Sequence, residues 1–342
     1  MYLTPITANC FYKQSLSNMP LISVIIPVYN GEKTIRETLE SVLNQTLSDF
    51  EIIVINDGSQ DSTLDIVSSI KEPRLKIFSY PNAGQSVSRN RGFFQACGEF
   101  IAFLDADDLW TPDKLEAQFN ALQANPQAAV AYSWTHHIDE SGNFLRSGNN
   151  IAVTGDVYNQ LLVRNFLEHG SNPLIRRQAL TEVGGFDQAL CPAEDWDMWL
   201  RLASRYHFVA VPSPQILYRV SATSMSSNVS RMEAVSLQVI ERAFNQAPES
   251  LQHLKKFSLG TLYMYLTFKA LEAPSGRQNG FTAARCLRLA VRNDPSLLRR
   301  RETLLKALFK ITAVALLPPQ QSQALVTTAE SLFEKYQLAK QK

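Results

Sequence analysis

EFIAFLDADDLW, Glu99 to Trp110, decides how the rest of the chain is read. Its apolar run, Phe100 to Leu104, leads straight into three carboxylates at Asp105, Asp107 and Asp108. A short apolar run bounded by charge predicts a strand covered on both faces, as in a parallel sheet. Side chains alternate along a strand, so Asp105 and Asp107 are expected to leave its carboxyl end on the same side. Two like charges placed together call for a divalent cation. Mg²⁺ or Mn²⁺ suits them, held by one or two carboxylates and completed by substrate phosphates. The competing reading makes these aspartates caps of a helix that begins near Thr111-Pro112.

Working upstream, LISVIIPV (Leu21 to Val28) reads as a strand that should end at Pro27, because proline disrupts a central ladder. A helix is expected over Thr34 to Gln45, with Ile35, Leu39 and Val42 on one face. FEIIVIND (Phe50 to Asp57) is a second buried strand, closed by the turn residues Asp57-Gly58-Ser59. A helix over Ser62 to Ile70, a strand over Leu75 to Tyr80 and a helix over Ser86 to Ala96, closed by Gly98, complete the pattern. Four strands alternating with helices predict an open, mostly parallel α/β sheet sandwiched by helices. Ligands of such sheets bind outside the carboxyl ends of the strands. Tyr29, Asp57, Asn82 and Asp105 all fall there.

Downstream the pattern changes. AVAYSWTHHID, from Ala129, reads as a strand on which His136 and His137 face opposite sides and cannot share one metal. ESGN is a tight turn, and GGFD (Gly184 to Asp187) is another. Glu194 to Tyr206 is a helix whose Trp196, Trp199, Leu200 and Ala203 form a core stripe. Asp195 lies at the edge of that stripe, and Asp197 is expected to be solvated. HFVAVPSPQILYRV, from His207, reads as short strands. The small, polar loop Ser221 to Ser230 is expected to order over a bound donor. After Arg231 the pattern is helical. The expected domains are an N-terminal arm (1–19), a sheet domain (20–230) and an all-helical extension (231–342).

The net charge of +1 hides an asymmetry: residues 1–230 hold 16 Lys/Arg against 24 Asp/Glu, and residues 231–342 hold 17 against 8. The acidic part carries the aspartate cluster, and the basic part, at +9, suits an anionic surface. RRRETLLKALFKITAVALL (Arg299 to Leu317) joins a basic start to an apolar stretch too short to span a bilayer. Such a helix either lies peripherally on an anionic membrane, or packs Leu304, Leu308, Ile311 and Ala315 against neighbouring helices. Cys10, Cys97, Cys191 and Cys286 show no CxxC spacing, which argues against a zinc site or disulfide framework and fits a reducing cytosol. No signal-peptide pattern opens the chain. A cytoplasmic protein, at most peripheral at the inner face of the membrane, is expected, with no nucleic-acid partner.

Neither GxGxxG after the first strand nor GxxxxGK[ST] occurs, which argues against a dinucleotide oxidoreductase and a P-loop NTPase. The strand ends carry PVYNGE, NDGSQDST, NAGQSVSRNRG and DADD instead. Tyr29 can stack on a base, Asp57 can accept from a ring N–H, Arg89 can balance phosphate charge and Asp107 can hold a metal.

Taken together, residues 21–225 resemble the family 2 glycosyltransferases of GT-A fold. PVYN (Pro27–Asn30), DGS (Asp57–Ser59), NxGxSxxRNxG (Asn82–Gly92), DADD (Asp105–Asp108) and GGFD…ED (Gly184–Asp195) occur in the family's order. The resemblance implies an inverting enzyme that uses a nucleoside-diphosphate sugar, a UDP-sugar above all, and a divalent cation. It implies base contacts for Pro27, Tyr29 and Asp57, a ribose or sugar contact for Asp105, the metal for Asp107 and the general base for Asp195. Tyr218-Arg219 is followed by Val220-Ser221, whereas many relatives have a His two residues after this pair. The QxxRW motif of processive relatives is absent, which favours transfer of a single sugar to a saccharide or lipid-linked acceptor in cell-surface polysaccharide or glycolipid synthesis. A non-catalytic sugar-nucleotide scaffold and a nucleotidyltransferase are the alternatives. The intact DADD and ED pairs count against the first, and the ED helix has no use in the second.

Overall fold

The computed structural model describes residues 19–221, 228–272, 276–318, 320–322 and 324–325. The β-branched runs form strands, and the segments with helical spacing fold back over them. In chain order these are β1 (Ile22–Val28), α1 (Ile35–Leu43), β2 (Phe50–Asn56), α2 (Thr63–Ser69), β3 (Leu75–Ser79), α3 (Gln85–Gln95) and β4 (Phe100–Phe103). There follow β5 (Leu109–Trp110), α4 (Lys114–Ala124), β6 (Ala128–Ile138), β7 (Phe144–Ser147), α5 (Tyr158–Val163), β8 (Leu174–Arg176), α6 (Arg177–Val183), α7 (Glu194–Ala203) and β9 (His207–Arg219). One sheet of nine strands results, in the order β3-β2-β1-β4-β8-β6-β9-β5, with β7 on β6. β3, β2, β1 and β4 run parallel. β8 is antiparallel to both β4 and β6, and β6 and β9 are parallel again. Ile22, Val24, Ile26, Ile52, Val54, Phe100, Ala102, Leu115 and Leu122 belong to one buried cluster beneath the helices. This is the open α/β architecture expected.

Four local expectations change. β1 runs through Pro27 to Val28. Leu104 N–H donates to the Ile25 carbonyl, so odd-numbered residues of β1 face β4, whose pairing stops at Ile25. The missing N–H of Pro27 therefore points where no ladder needs it. Gly98 does not close α3, whose cap is Ala96. Its role is close approach: a Cβ there would lie 2.5 Å from the Ser23 nitrogen of β1. HFVAVPSPQILYR is one strand of 13 residues rather than several short ones, with register shifts against β6 around Ser133 and Trp134. Its far half is long enough to pair also with β5. Finally, Cys97 is disulfide-bonded, which the cysteine spacing argued against, while Cys191 and Cys286 are free.

The chain divides into two compact units, residues 1–161 with 165–221, and residues 162–164 with 222–342. In the second, α8 (Val229–Gln246), α9 (Lys255–Glu272), α10 (Arg277–Asn293) and α11 (Arg301–Leu316) enclose a small core of Ala270, Ala283, Leu287, Ala307 and Ile311. Of the anticipated packing stripe on α11, Ile311 is buried and Leu304 packs against that core, but Leu308 is 51% exposed. Among the described residues, no helix is long and apolar enough to cross a membrane. Most of the loop Ser221 to Ser230, with its expected ordering over a donor, lies outside the described residues, as does the N-terminal arm.

Candidate active site

The turns after β1 and β2 hold each other. Asn30 N–H donates to Ser59 Oγ (3.0 Å), and Gln60 N–H donates to Asn30 Oδ1 (2.8 Å). Gly31 N–H donates to Thr63 Oγ1 (2.8 Å), and Ser62 N–H to Glu32 Oε2 (3.0 Å). This stitching leaves Tyr29 52% exposed at the carboxyl end of β1, as a stacking surface requires. Pro27 is buried beneath it in β1. Asp57, at the end of β2, is buried and well supplied with donors. It accepts from Gly84 N–H (2.8 Å) and Ala83 N–H (3.1 Å), and pairs with Arg91 Nη1 (3.1 Å).

The aspartates after β4 are gathered differently from the expectation. The strand stops at Phe103, and Asp108 N–H donates to the Asp105 carbonyl (3.1 Å), closing a turn. Strand alternation therefore does not set their directions; the turn does. Nor do they cap a helix, because β5 intervenes and α4 begins at Lys114, after Asp113. Thr38 Oγ1 donates to the Ala106 and Asp108 carbonyls, and Ser171 Oγ donates to Asp108 Oδ2 (2.5 Å) while accepting from Asp105 N–H (3.0 Å). Arg219, at the end of β9, closes the other side. Its N–H donates to Asp108 Oδ1, its Nε to the Asp107 carbonyl (2.9 Å) and its Nη2 to Glu37 (2.7 Å).

Arg89 lies at the centre. Fully buried, it donates through Nη2 to Asp105 (2.7 Å) and through Nη1 to Glu194 (2.8 Å). Burial works against its charge, but Asp105 and Glu194 more than offset that and keep the guanidinium protonated. Arg89 was expected to face a phosphate; here both of its Nη groups are held by carboxylates, and it joins the DADD turn to the ED pair of α7. Its neighbour Asn90 exchanges two hydrogen bonds with the Phe186 backbone (2.8 Å each), fixing the GGFD turn against α3. The NxGxSxxRNxG segment thus serves chiefly to hold the other motifs.

The carboxylates outnumber the cations there, and their proton affinities show it. Asp107 reaches solvent but from a protein-lined recess; that desolvation, then the charge of Asp105, raises its pKa to about 6. Asp108, buried and next to Asp107 and Asp105, is raised well above the ordinary carboxylate range. Burial, then the Glu194 carboxylate, push Asp195 up to about 7 against the pull of Arg89. Asp195 accepts only from the N–H of Trp196 among the bonds described for it (2.6 Å). Asp197, expected to be solvated, is instead buried and paired with Arg201 (2.8 Å), which donates to the Val183, Gly184 and Gly185 carbonyls. Its helix position turns it inward, where a cation from the next turn awaits it.

The donor set fits a divalent cation shared with a substrate. Among the described residues, no group of three or more His, Cys, Asp or Glu forms a closed metal cage. Asp107 offers a hard, exposed oxygen with Asp105 behind it, and a cation completed by diphosphate oxygens needs no more. His136 and His137 occupy opposite faces of β6, as expected, with His137 buried. Gln85, which donates to Asp105 (2.8 Å), and Ser171 were not picked out from sequence. Gln85 carried no signal beyond opening a helix after Gly84, and Ser171 none at all.

An open sheet whose β4 carboxyl end carries an aspartate turn, joined through Arg89 to the ED pair of α7, is the arrangement expected of a GT-A transferase. The model of the family described as "Glycosyltransferase like family 2" matches residues 23–270, and the chain belongs to that family. An uncharacterized glycosyltransferase of Rickettsia conorii is 30% identical over 266 residues, covering 76% of this chain and 42% of that protein. The chondroitin synthase of Escherichia coli is 32% identical over 191 residues, covering 55% and 27%. The chain thus spans less than half the length of both relatives. Staphylococcus aureus TarS 1–349, solved with UDP-GlcNAc, superposes with a TM-score of 0.54 at 18% identity, over 82% of this chain and 92% of that one. A mannosyltransferase from Pyrobaculum calidifontis, solved with GDP-Man and Mn²⁺, gives 0.55 at 22% identity, over 91% and 84%. These likenesses establish the GT-A fold.

Proposed function

We propose that this glycosyltransferase moves a single sugar from a nucleoside-diphosphate sugar, a UDP-sugar by its motif pattern, to an acceptor hydroxyl with inversion at the anomeric carbon. The observation that carries this reading is the Arg89 bridge, which makes the DADD turn and the ED pair one site. Tyr29 and Asp57 receive the base, Asp105 the ribose or sugar, and Asp107 would hold Mg²⁺ or Mn²⁺. When bound, that cation neutralises charge developing on the departing diphosphate. Asp195, raised to about 7, is a base matched to neutral pH and takes the proton from the acceptor hydroxyl. The named synthases among its relatives and the nucleotide-sugar complexes of its structural neighbours support a role in polysaccharide or glycolipid synthesis. The test is a screen of nucleotide sugars for hydrolysis and thermal stabilisation, with and without Mn²⁺. A UDP-sugar is expected to be selected, with Mn²⁺ required; no response to any nucleotide sugar sinks the reading.

A lipid-linked acceptor would bring the enzyme to a membrane surface, and α11 supports that. Leu305, Leu308, Phe309 and Leu316 are exposed on one face of it, just after the exposed Arg299, Arg300 and Arg301. Sedimentation with anionic vesicles at low salt, lost as salt is added, is expected. A protein that stays in the supernatant has no such role.

A further inference from the structure

Glu168 stands out in the sheet unit because three unrelated features fix one carboxylate. Its backbone is left-handed, at φ +71°, a conformation unfavourable for a side chain of this length. Its Oε1 accepts the Asn149 N–H (2.8 Å). Its Oε2 points into a space that exists only because residue 148 is glycine, where a Cβ would lie 2.3 Å away. There Oε2 faces His137 Nε2 at 3.6 Å, too far for a hydrogen bond, and neither atom has another partner. Strain of this kind persists where the surroundings over-determine it, commonly at functional sites.

The place matters as much as the strain. Gly170, two residues on, lies against Arg89, and Ser171 holds both Asp105 and Asp108. His169 stacks on Tyr218 at 4.7 Å between ring centroids, and His137 meets the same ring edge-on at 5.4 Å. Glu168 is thus built into the wall beside the aspartate turn, on the β8–β6 side of β4, whereas Tyr29 and Asp57 lie on the β1–β2 side. Its side chain is 17% exposed although Oε2 is enclosed. Oε1 holds one backbone N–H and has capacity for a second donor. Pyranoses offer hydroxyl donors of the kind that a fixed carboxylate selects.

We propose that Glu168 is a specificity-determining residue that accepts a hydrogen bond from a hydroxyl of the saccharide bound beside the aspartate turn. The inference rests on the sugar-transfer reading above. The hydroxyl belongs either to the sugar being transferred or to the acceptor, and two kinetic arms separate them. Glu168→Asn tolerates the left-handed backbone but is one methylene too short, and Glu168→Gln keeps the shape without the charge. With UDP-N-acetylglucosamine or GDP-mannose, whichever the wild type turns over, donor hydrolysis reports the transferred sugar. Transfer to a panel of p-nitrophenyl glycosides reports the acceptor. One KM should rise roughly 10- to 100-fold in Glu168→Asn and less in Glu168→Gln, with UDP affinity unchanged. A deoxy analogue of that sugar, lacking the contacted hydroxyl, should be penalised by the wild type and not by the variants. Both KM values unchanged, or a loss of UDP affinity together with melting temperature, overturns the proposal. A wild type that transfers no sugar overturns the function itself, and this inference with it.

Discussion

The carboxyl edge of the sheet at β1 and β2 and the same carboxyl edge at β4, beside α7, are both built on aspartates, but in opposite electrostatic states. Asp57 at the first is met by two backbone N–H groups and the Arg91 guanidinium. At the second, Asp105, Asp107, Asp108, Glu194 and Asp195 surround chiefly the charges of Arg89 and Arg219. Where the protein supplies enough donors, a carboxylate becomes a fixed acceptor suited to recognition. Where it leaves carboxylates facing one another, the missing positive charge must come from a cation or a proton, and the proposed transfer uses both.

The sharpest way to break this contrast is Asp195→Asn, which removes the proton acceptor from the crowded edge. Turnover should fall by roughly 10²- to 10⁴-fold with melting temperature held or raised, and a variant retaining near-normal turnover rules Asp195 out as the base. Next comes Asp107→Ala, which should abolish the Mn²⁺-dependent increment in UDP affinity measured by calorimetry. Unchanged Mn²⁺ dependence would move the anchor elsewhere.

The pH response should be smaller but more diagnostic. With Asp195 at about 7, kcat/KM should rise with pH below that value and level off above it. Stability should run the other way. Asp107 at about 6 and Asp195 at about 7 bind protons more tightly folded than unfolded, where a carboxyl titrates near about 3.9. The folded state therefore holds more protons between about pH 4 and pH 7, and these groups lower stability as pH rises through that window. Thermal melts of metal-free protein should show the decline, less steeply in Asp195→Asn. At the satisfied edge, Asp57→Asn should cost about 1–3 kcal/mol in urea unfolding, with the pH profile and Mn²⁺ dependence intact. A changed pH profile there would erase the distinction between the two edges.

The parallel half of the sheet was legible because each strand is a continuous apolar run and each turn carries its own chemistry. Asp57, Asp105, Asp107 and Asp195 stand out as candidates for that reason: they lie beside local signals. What sequence reasoning missed was made by long-range pairing. Asp197 has its partner Arg201 one turn on, but only the folded Val183, Gly184 and Gly185 carbonyls, which Arg201 also binds, carry the pair inward. Arg89 reads as a cation that balances phosphate until Glu194, 105 residues later, is folded against it. β9 read as several strands because Pro212 and Pro214 interrupt its pattern. The structure absorbs them as register shifts against β6 instead. Glu168 gave no signal, since a left-handed backbone is invisible in a single glutamate.

The clamp on the aspartate turn has a consequence in time. Arg219 binds Asp108 and the Asp107 carbonyl across 111 and 112 residues, and Glu37 across 182. A ribosome adding about 5–20 residues per second finishes the turn and then needs roughly 6–20 s to deliver its clamp. During that interval the nascent chain carries a cluster of mutually repelling carboxylates with Arg219 not yet made. The parallel strands β1 to β4 need no residue beyond Leu104 for their ladder, so the sheet can form first and the site is the last part of the unit to close.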